Sequence, residues 1–404
     1  MEGKMKLNYK KTFLLGLGFF AVSLVWPLYN IYVPIFLRDF MSKQIQINAI
    51  MTLDNVLAVS LIPFVAALSD RTKTRYGRRM PYLMVGIPIA ALMFILLPSY
   101  TSLISLMVII TILNFSMAIF RAPTVALMPD ITPPPLRSEA NGIINFMGGL
   151  ASVVVLIGGA ILYEIYHTLP FLLTSLLMLL ALLMLVKYIK EPLQFVAAKD
   201  NKSSIKEMLK AIPSHERRET AFILLAIFFW FVGYQGVEAT FSNYCVQFLK
   251  LPVSSASLIL GFFALAFLIF AIPAGFIGSK FGKKRTILVG IFGDAITFIA
   301  LFSLGNFIPY RFSFMMVLMF LGGFFWALIN INSYPLVVSQ APESLVGTYT
   351  GLYYFASSAA AILGPLTLGA FIDLFSFAPM FLLTSLSYLI AGVFMIKFRD
   401  LPSQ

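Results

Sequence analysis

Ser69-Asp70-Arg71-Thr72-Lys73-Thr74-Arg75-Tyr76-Gly77-Arg78-Arg79 is a short basic stretch wedged between long apolar ones. It recurs in shortened form as Gly278-Ser279-Lys280-Phe281-Gly282-Lys283-Lys284-Arg285. Gly77 and Gly282 stand 205 residues apart, close to half the chain length. A glycine turn flanked by cations and repeated at half-chain spacing in an apolar chain predicts two homologous membrane halves. The repeat extends outward from the loop. Tyr29-Asn30 matches Tyr234-Gln235 at the same offset, and Leu136–Gly142 matches Leu345–Gly351 at an offset of 209.

Composition sets the solvent. The chain of 404 residues is 60% hydrophobic and 11% charged, too little charge to cover the surface of a soluble protein of this size. Approximately twenty apolar residues cross a bilayer as a helix, and twelve such runs are present. They are predicted over 12–37, 45–68, 81–98, 102–127, 140–163 and 169–188, then over 220–247, 254–278, 286–304, 310–338, 346–372 and 377–397. The expected division is an N-terminal bundle over 1–189, a polar linker over 190–219 and a C-terminal bundle over 220–404. Within the linker, Ser204-Ile205-Lys206-Glu207 reads as a capping box for a short helix on the membrane surface. Its apolar face would be Ile205, Leu209 and Ile212.

The net charge of +12 records topology rather than a nucleic-acid partner. Of the 29 Lys and Arg, 24 fall on one side of the predicted spans, four on the other, and one, Arg121, inside a span. The positive-inside bias then places both termini in the cytoplasm of a multi-pass cell-membrane protein. The first apolar run is too long for a cleaved signal segment. One cysteine, Cys245, excludes an internal disulfide, and no metal-ligand cluster or cofactor motif is apparent. No nucleophile–base pair or phosphate loop occurs either, so an enzyme is not expected.

Four ionisable side chains lie inside apolar runs: Asp54, Arg121, Glu238 and Asp294. Each costs about 2.5–3.5 kcal/mol to insert on translocon scales, so each needs a partner or water. Asp54 and Glu238 lie at similar distances from the outer ends of their spans, and a carboxylate in a low-dielectric site can bind and release a proton near neutrality. They are the expected coupling residues. Arg121 is expected to clamp an anionic solute, to contact a hydroxyl, or to neutralise one of the carboxylates. Asp294 is expected to pair with a nearby cation.

The long form of the basic loop, Asp70 to Pro81, resembles that of the glycoside–pentoside–hexuronide:cation symporters of the major facilitator superfamily, in particular their sucrose-transporter-like branch. Met128-Pro-Asp-Ile-Thr-Pro133, Leu136-Arg-Ser-Glu-Ala-Asn-Gly142 and Gly233-Tyr-Gln-Gly-Val-Glu-Ala239 fit the same group. The resemblance implies an all-α membrane protein of twelve transmembrane helices in two six-helix bundles, with helices 1, 4, 7 and 10 lining a central cavity. It implies cation-coupled symport of a sugar or glycoside. With Asp54 and Glu238 as coupling residues, the expected protein is a proton-coupled symporter working by alternating access as a monomer.

Trp26, Trp230 and Trp326 fall on those helices away from their ends, as ring platforms for a sugar. Tyr29, Asn30, Tyr234, Gln235, Asn243, Asn330 and Asn332 are the expected hydroxyl ligands. Asp70, Arg71, Arg75, Gly77, Arg78 and Arg79 form the cytoplasmic loop motif, in which Asp70 is expected to pair with Arg71, Arg75 or Arg78, or to face the positive end of a neighbouring helix. Melibiose-type members carry an acidic pair for sodium where this chain has Ala58 and Ile62, which favours the proton over sodium. Two other readings compete: transport of an anionic or amphipathic compound, and a non-transporting sensor or assembly factor on the same fold.

Overall fold

A computed structural model of the chain describes residues 7–133, 136–191, 205–307, 311–342 and 345–399. Among these residues the regular structure is helical throughout. The α-helices are α1 (Tyr9–Arg38), α2 (Gln44–Met51), α3 (Leu53–Arg71), α4 (Met80–Leu96), α5 (Leu103–Ile131), α6 (Arg137–Val153), α7 (Gly159–Ile165) and α8 (Leu169–Tyr188). They continue with α9 (Ile205–Ala211), α10 (Arg217–Asn243), α11 (Val253–Phe281), α12 (Lys283–Phe307), α13 (Arg311–Ser339), α14 (Val346–Phe375) and α15 (Met380–Lys397). They supply twelve candidate spans of 18 to 32 residues. At about 1.5 Å per residue, even the shortest nearly matches a hydrocarbon core of about 30 Å.

Among the described residues four spans depart from a simple α-helix. The third ends in a 3-10 turn over Leu97–Ser99 and the seventh in a π turn over Tyr244–Phe248. The second and fifth are interrupted within their length. The second, predicted as one run, is α2 followed by α3, broken at Thr52, whose hydroxyl donates to the Ala49 carbonyl at 2.8 Å. The fifth joins α6 to α7 through a wider π turn over Val154–Gly158. Such turns relieve a helix locally and often sit near functional positions.

Contacts divide the chain into two compact units. One is Met1–Phe40 with Leu53–Ala198, and the other is Met41–Thr52 with Lys199–Gln404. Helix α2, which lies within the expected N-terminal bundle, packs with the second unit. Its first turn is capped by Asp373 of α14, whose carboxylate accepts from the backbone N–H groups of Gln44 at 2.7 Å and Ile45 at 2.9 Å. A carboxylate suits the exposed donors and positive end of a helix N-terminus. Asn48 then donates to Thr240 at 3.0 Å and to the Pro365 carbonyl at 2.7 Å, and Gln44 donates to Asn48 at 2.8 Å.

Helices approach closely where side chains are small. A Cβ on Gly323 of α13 would lie 2.2 Å from the Phe263 carbonyl oxygen of α11, so only glycine fits. Within the second unit, Met208 of α9 packs against Gly351 of α14, and Ile212, just past the end of α9, is buried. Leu209 is exposed and lines one cavity with Ile212, Arg217 and Leu224, while the Ile205 side chain lies outside the described residues. The Ser204 cap lies outside the described residues.

Candidate functional site

The first basic loop is built around Gly77, whose φ of 103° is the left-handed region that favours glycine. The turn aims three successive backbone N–H groups at one carboxylate. Glu191 accepts from Arg78 at 2.9 Å, Arg79 at 3.0 Å and Met80 at 2.7 Å, so it caps the start of α4. Any Cβ at residue 77 would meet the Glu191 side chain at 2.5 Å. Arg78 and Arg79 converge on Asp130 at the end of α5, at 2.5 Å and 3.0 Å. Arg79 also holds Asp70 and Ser69, and Arg78 lies 3.7 Å from Asp70.

The expected partners of Asp70 are therefore corrected. It pairs with Arg79 as well as Arg78, because the turn swings both guanidinium groups back over α3. Arg75 lies instead over its neighbour Tyr76, 4.7 Å from the ring, and donates to its hydroxyl at 2.8 Å. Arg71 is exposed at the end of α3. Asp130 and Glu191 were not singled out by the sequence. Asp130 stood inside the quoted Met128–Pro133 motif, and Glu191 is an acid just past the end of a span.

Within the first unit, the break at Thr52 decides the setting of Asp54. It gives α3 an N-terminus of its own, and Asp54 sits in that first turn, where negative charge is favoured. Its Oδ1 accepts from the backbone N–H of Asn55 at 2.6 Å and from the Asn55 side-chain amide at 2.9 Å. Arg121 of α5 lies within Coulombic range of Asp54, and so does Tyr29 of α1. Among the described residues, Arg121 makes no direct ion pair and its side chain is accessible. It stands ten residues before the end of α5, or about 15 Å into the helix. Tyr29 is fully buried, accepts a hydrogen bond from Asn114 at 3.2 Å, and meets Trp26 edge-on at 5.6 Å. Trp26 and Asn30 are half-buried.

The second unit repeats part of this arrangement on different helices. Tyr234 of α10 stacks flat on Trp326 of α13, with centroids 4.1 Å apart and planes 1° from parallel. Phe231 meets the same indole edge-on at 5.5 Å. Glu238, one turn after Tyr234, is within its Coulombic range. Gln235, Glu238 and Asn330 are half-buried. The residue 209 positions after Arg121 is Asn330, so the second unit carries an amide where the first carries a cation.

Several expected ligands are committed elsewhere. Trp230 has no accessible surface, lies in the core of its unit, and its indole N–H has no acceptor among the described residues, so it presents no face to a solute. Asn243 is buried and donates to Gln44 at 3.3 Å, holding α2. Asn332 donates to the carbonyls of Ala274 at 3.0 Å and Leu328 at 2.9 Å, tying α13 to α11. Asp294 is buried with both carboxylate oxygens unpartnered among the described residues, so the expected ion pair is not formed. A Cβ on Gly322 would lie 3.6 Å from its Oδ1, and Tyr388 is within its Coulombic range; neither residue is cationic. Among the described residues, no group of His, Cys, Asp and Glu is arranged to hold a metal.

The sequence pattern of the Major Facilitator Superfamily matches residues 15–261 and 241–404. The chain belongs to the Major Facilitator Superfamily. It is thus a membrane transporter of that type rather than an enzyme, with the superfamily's fold of twelve transmembrane helices. This superfamily member is 24% identical to the tetracycline resistance protein, class H, of Pasteurella multocida over 302 residues, spanning 71% of this chain and 70% of that protein.

Its fold is similar to that of the nucleoside transporter NupG, with a TM-score of 0.76, 16% identity, and coverage of 96% of this chain and 100% of that one. A bacterial homologue of the human lysosomal transporter Spinster, solved inward-facing and occupied, matches with a TM-score of 0.75 at 16% identity, over 99% of this chain and 100% of that one. A POT family transporter in complex with 5-aminolevulinic acid matches with a TM-score of 0.76 at 13% identity, covering 98% of this chain and 97% of that one.

Proposed function

We propose that this superfamily member is a proton-coupled secondary transporter of a sugar or glycoside, working by alternating access as a monomer in the cell membrane with both termini cytoplasmic. The observation that carries the reading is a recurring trio. Asp54, Tyr29 and Trp26 gather in the first unit, and Glu238, Tyr234 and Trp326 in the second. In this reading each carboxylate takes up and releases a proton. The half-buried Trp26 and Tyr234 offer a sugar an apolar face and a polar edge, and the buried Tyr29 and Trp326 hold those two rings in place. Asn30, Arg121, Gln235 and Asn330 supply hydroxyl ligands. A bound solute drives the cycle only through its differential affinity for the outward and inward states.

A second reading, proton-driven movement of an amphipathic or anionic compound, has two supports. One is the tetracycline resistance relative. The other is the flat Tyr234–Trp326 stack, which covers one face of the indole and leaves less of it for a sugar.

Proteoliposomes with an imposed pH gradient separate these readings. Mono- and disaccharides, aryl glycosides and tetracycline are offered in turn while proton flux is followed. Sugar-dependent flux that is lost in Asp54→Asn supports the first reading. Flux with tetracycline and none with any sugar supports the second. Arg121→Gln abolishes transport of an anion but only weakens that of a neutral sugar.

A further inference from the structure

The second basic loop borders a cavity of about 640 Å³ between the start of α12 and the end of α13. Lys283, Lys284 and Arg285 line one side, and Leu336, Ser339 and Gln340 the other. Its volume lies within the roughly 300–1,000 Å³ typical of small-ligand sites.

The internal repeat explains why a positive cavity exists there. In the first unit, Arg78 and Arg79 are answered by Asp70 and Asp130. In the second unit, Lys283 and Lys284 follow Gly282 as the two arginines follow Gly77, while the residues 209 positions after the two aspartates are Ser279 and Ser339. Both acids have become serines, whose hydroxyls donate to the carbonyls of their own helices at Phe276 and Leu336. Among the described residues, no carboxylate pairs with Lys280, Lys283, Lys284 or Arg285. Lys284 is anchored by the carbonyls of Phe398 at 2.5 Å and Ile396 at 3.5 Å, which leaves Lys283 and Arg285 to face an anion. The rim is apolar. Phe281 borders the cavity and is exposed, as are Phe276 and Ile272 further along α11.

We propose that this cavity binds the phosphate headgroup of an anionic phospholipid, with Lys283 and Arg285 on the phosphate. Ser339 and Gln340 take polar headgroup atoms, and the acyl chains lie along the exposed apolar face of α11. A phosphate supplies the negative charge that Asp70 and Asp130 supply in the first unit. The site is separate from the residues assigned to solute and proton.

The test uses the full chain, purified and delipidated in detergent, with retained lipid counted by native mass spectrometry. Phosphatidylglycerol is expected to be retained at least fivefold over phosphatidylcholine. The double variant Lys283→Gln/Arg285→Gln abolishes that preference, and Lys250→Gln, in a different loop, leaves it intact. Ser339→Asp, which restores the acid of the first unit, lowers the preference at least threefold. It carries the test alone if the double variant fails to fold. Equal retention of the two lipids, or a preference that survives both cavity variants, overturns the proposal. Inorganic phosphate displacing the lipid at equal concentration also overturns it, by assigning the cavity to a soluble anion. No transported solute enters the measurement, so its outcome is independent of the transport reading.

Discussion

The two copies of the basic loop share a glycine turn and differ in what answers their cations. In the first, φ at Gly77 is 103° and three carboxylates, Asp70, Asp130 and Glu191, hold the two arginines and the amides beside them. In the second, φ at Gly282 is 92° and serines stand at the counterparts of Asp70 and Asp130. The same backbone turn therefore serves a locked cluster in one unit and an open positive cavity in the other. The turn is set by glycine stereochemistry, whereas the rigidity is set by acids brought in from elsewhere in the chain.

The largest effect that would break this contrast lies in the first loop. Arg79 is 5% exposed. Removing one partner of a buried ion pair costs about 3–5 kcal/mol when the other charge is stranded, and the Asp70 contact that Arg79 keeps makes this an upper bound. Asp130→Asn is thus expected to lower the thermal midpoint sharply. Ser339→Ala at the matching position should stay within about 0.5 kcal/mol of the parent chain. Comparable losses at the two positions would show that the loops are equivalent after all.

Next in size is the glycine itself. An alanine in the left-handed region costs about 1–2 kcal/mol, so Gly77→Ala and Gly282→Ala both destabilise. Gly77→Ala should cost more, because its methyl group meets Glu191, and paired denaturation midpoints read the difference. A third variant sharpens the contrast between partnered and unpartnered acids. Leaving a buried polar group unsatisfied costs roughly 1–3 kcal/mol, so Asp294→Leu is expected to raise the melting temperature while Asp130→Asn lowers it. A drop with Asp294→Leu would mean that the carboxylate has a favourable role in the folded state.

The sequence made the twelve spans legible because each is a long apolar run, and hydrophobic length is what a bilayer selects. The break at Thr52 was not legible. Neither Thr52 nor Leu53 is a helix breaker, and α2 is held by Asp373, whose carboxylate meets the Gln44 amide from 329 residues away. For the site, the repeat pointed to Tyr29 and Tyr234, and each lies within Coulombic range of a carboxylate. It could not tell which way Trp230 faces, since distance from a helix end gives depth and not azimuth. Asp130 and Glu191 escaped because their partners are 51 to 113 residues away.

Helix α2 belongs by its contacts to the second unit although the chain reaches it before most of the first unit has been made. A fragment ending at the linker would carry Gln44 and Asn48 without Thr240, Pro365, Asn243 or Asp373 to receive them. During synthesis this stretch waits for Thr240 and Asn243 of α10 and, last of all, for Pro365 and Asp373 of α14. The second bundle, made without residues 41–52, would in turn lack a strip of its own interior. The two halves, for all the sequence repeat they carry, are not interchangeable parts that could be produced apart and simply mixed.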